Sequence, residues 1–350
     1  ECQYDTNSRN VTQLFLDFNN SARAITFLES NTYYNMNGSL SYNFTGSTIW
    51  IDVNSHNASF DCNGSTFVGG GQIGSVLFDA LSYNNATLKN CNAKIFDVFY
   101  RVNDEGYVLN NNFTDGRPDS AEIYATTDTE IERIDRNNFT YMSNGIFYAK
   151  NVTNNYFYHS SSSVITCGRD SKNCDMINNT AHNISTFFTG GGCQGIGCNS
   201  GGTTNIRNNK ITNSTTDVLS ITRLGSSPTT VIFLTNNTIA NTTWRLFDSQ
   251  YPTTAYIYNN TFWNLNISSV TNDTEQYNKW NTSLSPIVYN NGTLTTYDTC
   301  VKWYDSAGGV CVANATADDT DVSSCTNLGV NNYNMWLYQN DDTVDIICGD

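Results

Sequence analysis

The sequence predicts an all-β solenoid, a coil of short parallel strands, on three observations. Asparagine doublets recur from Asn90 to Asn290 at intervals of about 17 to 31 residues, the period range of a solenoid. They include Asn111-Asn112, Asn137-Asn138, Asn154-Asn155, Asn178-Asn179, Asn208-Asn209, Asn236-Asn237, Asn259-Asn260 and Asn290-Asn291. Short β-type segments flank most of them, such as Tyr107-Val108-Leu109 before one and Phe139-Thr140-Tyr141 after another. Helical periodicity is hard to find, whereas β-branched and aromatic residues abound.

Each element follows from these patterns. Residues 1–40 form an N-terminal cap or assembly segment, whose apolar cluster Leu14-Phe15-Leu16…Phe18 fits a strand or a short helix equally well. Residues 41–295 form the coil. Asparagine suits its corners because it tolerates the left-handed backbone region, and its amide can bond to the equivalent Asn one coil away, at the roughly 4.8 Å strand spacing. The pattern stops near residue 296. Residues 296–350 instead gather Cys300, Cys311, Cys325 and Cys348 with Trp303 and Trp336, which reads as a small disulfide-held C-terminal module.

The stretch Thr48-Ile49-Trp50-Ile51-Asp52-Val53, then Ala58-Ser59-Phe60-Asp61-Cys62-Asn63-Gly64, then Asn85-Ala86-Thr87-Leu88-Lys89-Asn90-Cys91-Asn92, resembles the repeats of the right-handed parallel β-helix (pectate-lyase-like) superfamily. The resemblance implies a right-handed parallel β-helix over about residues 40–295. It implies no single activity, because that scaffold hosts lyases, hydrolases, adhesins and purely structural proteins. Cys62 and Cys91 occupy matching places in successive repeats, where stacked coils would hold them within disulfide reach. Cys167 with Cys174 and Cys193 with Cys198 read as local staples of loops. Two bonds among the last four cysteines would leave Cys2 as the odd one of eleven, the expected bridge between subunits.

Composition narrows the function classes. A formal net charge of −15 with only 14% charged residues excludes a general nucleic-acid or anionic-membrane binder. Eleven cysteines alongside dense Asn-x-Ser/Thr sequons point to an oxidising, extracellular location. The sequence starts at Glu1 without an apolar leader, so a removed signal peptide is the expectation. No apolar run reaches the length of a membrane span.

Sequons occur roughly once per 17 residues, far above chance. The expected N-glycan acceptors are Asn10, Asn19, Asn37, Asn43, Asn57, Asn63, Asn85, Asn112, Asn138, Asn151, Asn178 and Asn183. The series continues with Asn213, Asn236, Asn241, Asn259, Asn266, Asn272, Asn281, Asn291 and Asn314. A ladder Asn must point inward, whereas an acceptor must face solvent. In Asn178-Asn179-Thr180 the acceptor is the first Asn and leaves the second for the ladder. In Asn112-Phe113-Thr114 and Asn138-Phe139-Thr140 the acceptor is the second, so these sites are expected to be unoccupied or shifted in register.

Catalytic patterns are weak. The resembling hydrolases carry an Asp-Asp pair, Gly-His-Gly and Arg-Ile-Lys on consecutive coils, and none of these motifs occurs in the coil region here. Arg223 and Arg245 have no acidic cluster near them in sequence. The acidic stretch from Asp115 to Asp135 is interleaved with Arg117, Arg133 and Arg136, which reads as a solvated, self-paired edge. Asp318, Asp319 and Asp321 offer oxygen ligands, but no Ca²⁺ motif accompanies them. The expectation is therefore no enzyme, no catalytic or metal site, and no cofactor beyond covalent N-glycans. The sequence reads as a structural glycoprotein of a surface coat or filament, a homopolymer joined head to tail. The rival reading is a glycan-binding cell-surface or viral adhesin, followed by a polysaccharide lyase or hydrolase.

Overall fold

A computed structural model describes residues 7–16, 25–43, 49–70, 73–116, 123–125, 130–143, 145–167, 173–190, 203–216, 218–221 and 230–242, then only separate strands up to residue 349. From residue 242 onward, and at a few earlier strand positions, the description is of the backbone alone. The chain is a parallel β-helix that divides into two compact units, Glu1–Ser171 and Lys172–Asp350.

In the first unit the strands stack into three parallel sheets, each pairing with the strand one coil away. The first sheet contains Ile25–Phe27, Ile49–Val53, Val76–Asn84, Val98–Asp104, Ile123–Ala125 and the start of Ile146–Thr153. The second runs from Asn7–Asn10 through Thr32–Asn35, Ser59–Asp61, Thr87–Lys89, Gly106–Leu109 and Ile131–Asp135 to the end of Ile146–Thr153. The third holds Ser41–Asn43, Thr66–Val68, Asn92–Lys94, Asn112–Thr114, Asn138–Met142 and the start of Tyr156–Cys167. The N-terminal apolar cluster resolves as a short helix, Thr12–Leu16, opened by the Asn10 side chain, which accepts the Thr12 N–H at 2.9 Å. Phe18 lies outside the described residues.

Registry of the strands turns sequence periodicity into interior columns. Tyr34, Phe60, Leu88, Val108, Ile134 and Val152 lie in register in the second sheet and are all buried. Phe67, Ala93, Phe113, Phe139 and Phe157 do the same in the third. Their rings pack at centroid distances of 5.4 Å for Phe113–Phe139 and 4.9 Å for Phe139–Phe157. Each such buried ring contributes about 1.5–3 kcal/mol relative to exposure. At Gly106 the backbone runs against the Tyr100 hydroxyl and the Val102 side chain, so any Cβ there would collide.

The second unit repeats the plan. One sheet pairs Asn173–Ile177, Thr203–Arg207, Thr230–Thr235, Thr253–Tyr258 and Asn278–Asn281. Another pairs Thr180–Gly190 with Lys210–Ser214, Thr238–Thr242 and Thr261–Leu265. A third joins the end of Thr180–Gly190 to Leu219–Ile221 and Phe247–Ser249. From Val288 onward the described pairings change from parallel to antiparallel, as in Asn334–Leu337 with Ile346–Gly349.

Cys62 and Cys91 are disulfide-bonded across adjacent coils, as their matching places in the repeat predicted. Cys174 is also disulfide-bonded. The side chains of Cys2, Cys167, Cys193, Cys198, Cys300, Cys311, Cys325 and Cys348 lie outside the described residues. Among the described residues no helix is long and apolar enough to cross a membrane.

Candidate functional site

The coil turns three times per rung; asparagine takes a positive φ at most of the described corners, while Ile95, Asp115, Tyr141 and His159 do so after the third sheet of the first unit. Asn31, Asn57 and Asn85 take φ values of 55°, 55° and 59° at the corner between the first and second sheets. Asn90, Asn110 and Asn154 do so between the second and third sheets of the first unit, with Arg136 in the same role. In the second unit Asn178, Asn208 and Asn236 hold one corner, and Asn183, Asn213 and Asn241 hold another. Asn accepts this backbone region more readily than other non-glycine residues.

The residue that turns the chain and the residue that stacks inward are not the same, contrary to the expectation of one Asn doing both. The turning residue comes first and faces out; the next points in. Asn111, Asn137 and Asn155 form the inward ladder of the first unit, and Asn179, Asn209 and Asn237 that of the second, all 1–2% exposed. Asn137 Oδ1 accepts both the backbone N–H of Asn111 at 2.8 Å and its side-chain Nδ2 at 3.0 Å. Asn155 Oδ1 receives Asn137 in the same way, at 2.8 and 3.0 Å. The remaining hydrogen on each amide goes to a backbone carbonyl one coil back, Val108 O for Asn137 and Met176 O for Asn209. A buried amide left unpaired would be costly, and here the ladder satisfies it. At its N-terminal end the Cys62–Cys91 bond takes the ladder's place, and Cys91 N–H donates to Asn111 Oδ1 at 2.9 Å.

This split resolves the conflict over the sequons. Asn112 and Asn138 are shifted by one from the ladder positions Asn111 and Asn137. They begin strands in register with each other and face outward, with Asn138 Nδ2 donating to Asn112 Oδ1 at 2.9 Å. None of the six ladder residues is a sequon acceptor. Among acceptors with described side chains, Asn10, Asn37, Asn43, Asn63, Asn138, Asn178, Asn236 and Asn241 are exposed. Asn57, Asn85, Asn112, Asn151, Asn183 and Asn213 are half-buried, and none of the described acceptors is buried. The side chains of Asn19, Asn259, Asn266, Asn272, Asn281, Asn291 and Asn314 lie outside the described residues.

Registry also assembles a polar column that no local motif announced. Asp52, Asp79, Arg101 and Tyr124 follow one another in register in the first sheet. Arg101 Nη2 contacts Asp79 Oδ2 at 2.5 Å, and its Nη1 donates to the Tyr124 hydroxyl at 3.4 Å. Burial pushes the Asp52 carboxyl above its ordinary value; the Asn54 hydrogen bond opposes this, and the neighbouring Asp79 charge reinforces it. Two carboxylates on neighbouring rungs are the minimal set for acid–base chemistry, but Asp79 is committed to Arg101. The faint signal was the recurrence of Ile51-Asp52, Phe78-Asp79 and Tyr100-Arg101 at coil spacing. Arg223 and Arg245 lie outside the described side chains.

Part of the charged edge around Asp135 is paired. Arg133 reaches Asp135 at 2.9 Å and Lys150 reaches Glu132 at 3.0 Å. Arg117, Asp119, Glu122 and Asp128 lie outside the described residues. Burial raises the Asp135 pKa, but hydrogen bonds from Thr153 and Asn154, with Arg133 and Arg136, outweigh it and hold the carboxyl below its ordinary value. Among the described residues no cluster of three or more His, Cys, Asp or Glu is placed to hold a metal ion. Asp318, Asp319 and Asp321 lie outside the described residues. No family model, curated protein or solved structure matches the chain.

Proposed function

We propose that the chain is an extracellular structural glycoprotein, the subunit of a heavily N-glycosylated surface coat or filament, built on a β-helix of the right-handed pectate-lyase-like superfamily. The observation that carries the reading is the partition of asparagine. Inward ladder residues are buried and lie outside sequons, whereas every described acceptor reaches the surface. A coil edged with sugar is shielded from lateral sheet pairing, while its ends keep strand edges that can continue in another copy. Head-to-tail contact of that kind propagates a fibre. Cys2 bridges to a neighbour. Electron microscopy of the native secreted material tests this: filaments one coil wide with a sugar sheath are expected. Single particles that run as monomers on non-reducing electrophoresis would overturn it.

One observation favours the adhesin reading. Tyr141, 49% exposed, meets Tyr158 edge-on at 5.7 Å and lies 5.3 Å from His159, an aromatic surface on which sugars can stack. Tyr156 adjoins it, in register with the acceptor Asn138 on the next rung. That placement suits the shielding of the protein's own first sugars, which keeps the scaffold reading ahead. A glycan array probed with the native protein separates the two, because binding that Tyr141→Ala and Tyr158→Ala abolish would establish the adhesin.

A further inference from the structure

The corner between the first and second sheets carries an amide ladder on its outside. Asn57 Nδ2 donates to Asn31 Oδ1 at 2.7 Å, and Asn85 Nδ2 donates to Asn57 Oδ1 at 2.8 Å. Asn57-Ala58-Ser59 and Asn85-Ala86-Thr87 are both sequons; Asn31-Thr32-Tyr33 is not. Two acceptors thus sit one rung apart with their side-chain amides already hydrogen-bonded to each other.

We propose that this ladder carries sugar on both rungs of the same molecule and keeps its hydrogen bonds, so that glycans rise as a column along one edge of the coil. The proposal rests on the N-glycosylation reading above. Its chemistry turns on which amide hydrogen is used. Asn57 accepts from one neighbouring rung through Oδ1 and donates to the opposite rung through Nδ2. The hydrogen in use therefore lies anti to the carbonyl. The other, syn to the carbonyl, points along the side chain and away from the backbone.

Transfer from a diphosphate-linked sugar donor forms the bond from Nδ2 to the anomeric carbon. It breaks the bond from that carbon to the diphosphate oxygen, which leaves with its electron pair, and releases one Nδ2 proton. The product is a secondary amide, and secondary amides strongly prefer trans geometry. In the trans form the sugar takes the syn position and the surviving hydrogen stays anti. Glycosylation thus consumes the hydrogen that the ladder leaves idle. The same arrangement recurs in the second unit, where Asn213 Nδ2 donates to Asn183 Oδ1 at 2.9 Å and both are acceptors.

The column is tested on the intact glycoprotein. Trypsin releases Asn57 and Asn85 on one peptide, because no Lys or Arg lies between Ala24 and Lys89. Fragmentation of that glycopeptide should find both sites occupied together in the major species. Sugars on either site but never on both overturn the column and leave the glycosylation reading standing. A peptide bare at both sites overturns the proposal together with glycosylation at this corner. Proton exchange at glycosylated Asn57 Nδ2 gives an independent measure. It should be about tenfold slower than in an Asn31→Gly variant, which removes the acceptor and keeps the positive φ. Equal exchange rates would show that the hydrogen bond does not survive the sugar.

Discussion

Asn137 Oδ1 receives two donors from one residue, the backbone N–H and the side-chain Nδ2 of Asn111. Truncation of Asn137 to alanine leaves both of those buried groups without that acceptor and also removes the donor to Val108 O. Unsatisfied buried groups cost about 1–3 kcal/mol each, so Asn137→Ala should destabilise by about 3 kcal/mol or more in denaturant unfolding. Asn112→Ala, one residue away on the outer face, should cost under about 1 kcal/mol in the same assay. Equal effects would contradict the inward–outward division.

The outer ladder ends abruptly. Asn85 Oδ1 is buried without a hydrogen-bond partner, because the next corner residue is Glu105, an exposed side chain at φ 55°. A carboxylate has no hydrogen to offer. Glu105→Asn supplies an amide and suits the left-handed backbone, so it should stabilise by about 1 kcal/mol, read as a higher Tm. No gain, or a loss, would mean that the corner amides do not act as a ladder.

Acid should loosen the first unit through two carboxylates. Asp61, like Asp135, is raised by burial, but hydrogen bonds from Tyr33, Asn90 and Asn63, with Lys89 nearby, hold it below its ordinary value. A depressed folded pKa gives stabilisation that is complete above the unfolded value of 3.8 and is lost as pH falls through the lower folded value. Asp52, raised by burial, works in the opposite sense. The unfolding midpoint should therefore fall below about pH 4, and less steeply in Asp135→Asn than in the unmodified chain.

The coil itself could be read from the chain, and the reasons are local. The Asn doublets, the β-branched strands and the Cys62–Cys91 match all depend on neighbours in sequence or on one repeat. The division between turning and stacking Asn could not be read. It depends on register: the doublet Asn111-Asn112 puts the ladder residue first, whereas Asn178-Asn179 puts it second. The Asp52–Asp79–Arg101 column was hidden for the same reason, since coil lengths vary and only pairing across rungs brings those residues together. The short Thr12–Leu16 helix was ambiguous because so few residues show no period.

Removal of the Cys62–Cys91 bond should destabilise the first unit by about 3–4 kcal/mol, the loop-closure value for a sequence separation of 29 residues. Paired Cys62→Ala and Cys91→Ala substitutions, followed by denaturant unfolding, measure it. A change under about 1 kcal/mol would mean that the coil ladder alone fixes that corner.

The central claim is that outward asparagines carry sugar while inward ones build the coil. Site-by-site glycopeptide mapping of the native secreted protein tests it most directly. The account predicts glycans on most of the exposed and half-buried acceptors, with Asn112 and Asn138 among them because they face outward. Occupancy at fewer than half of those acceptors would contradict it.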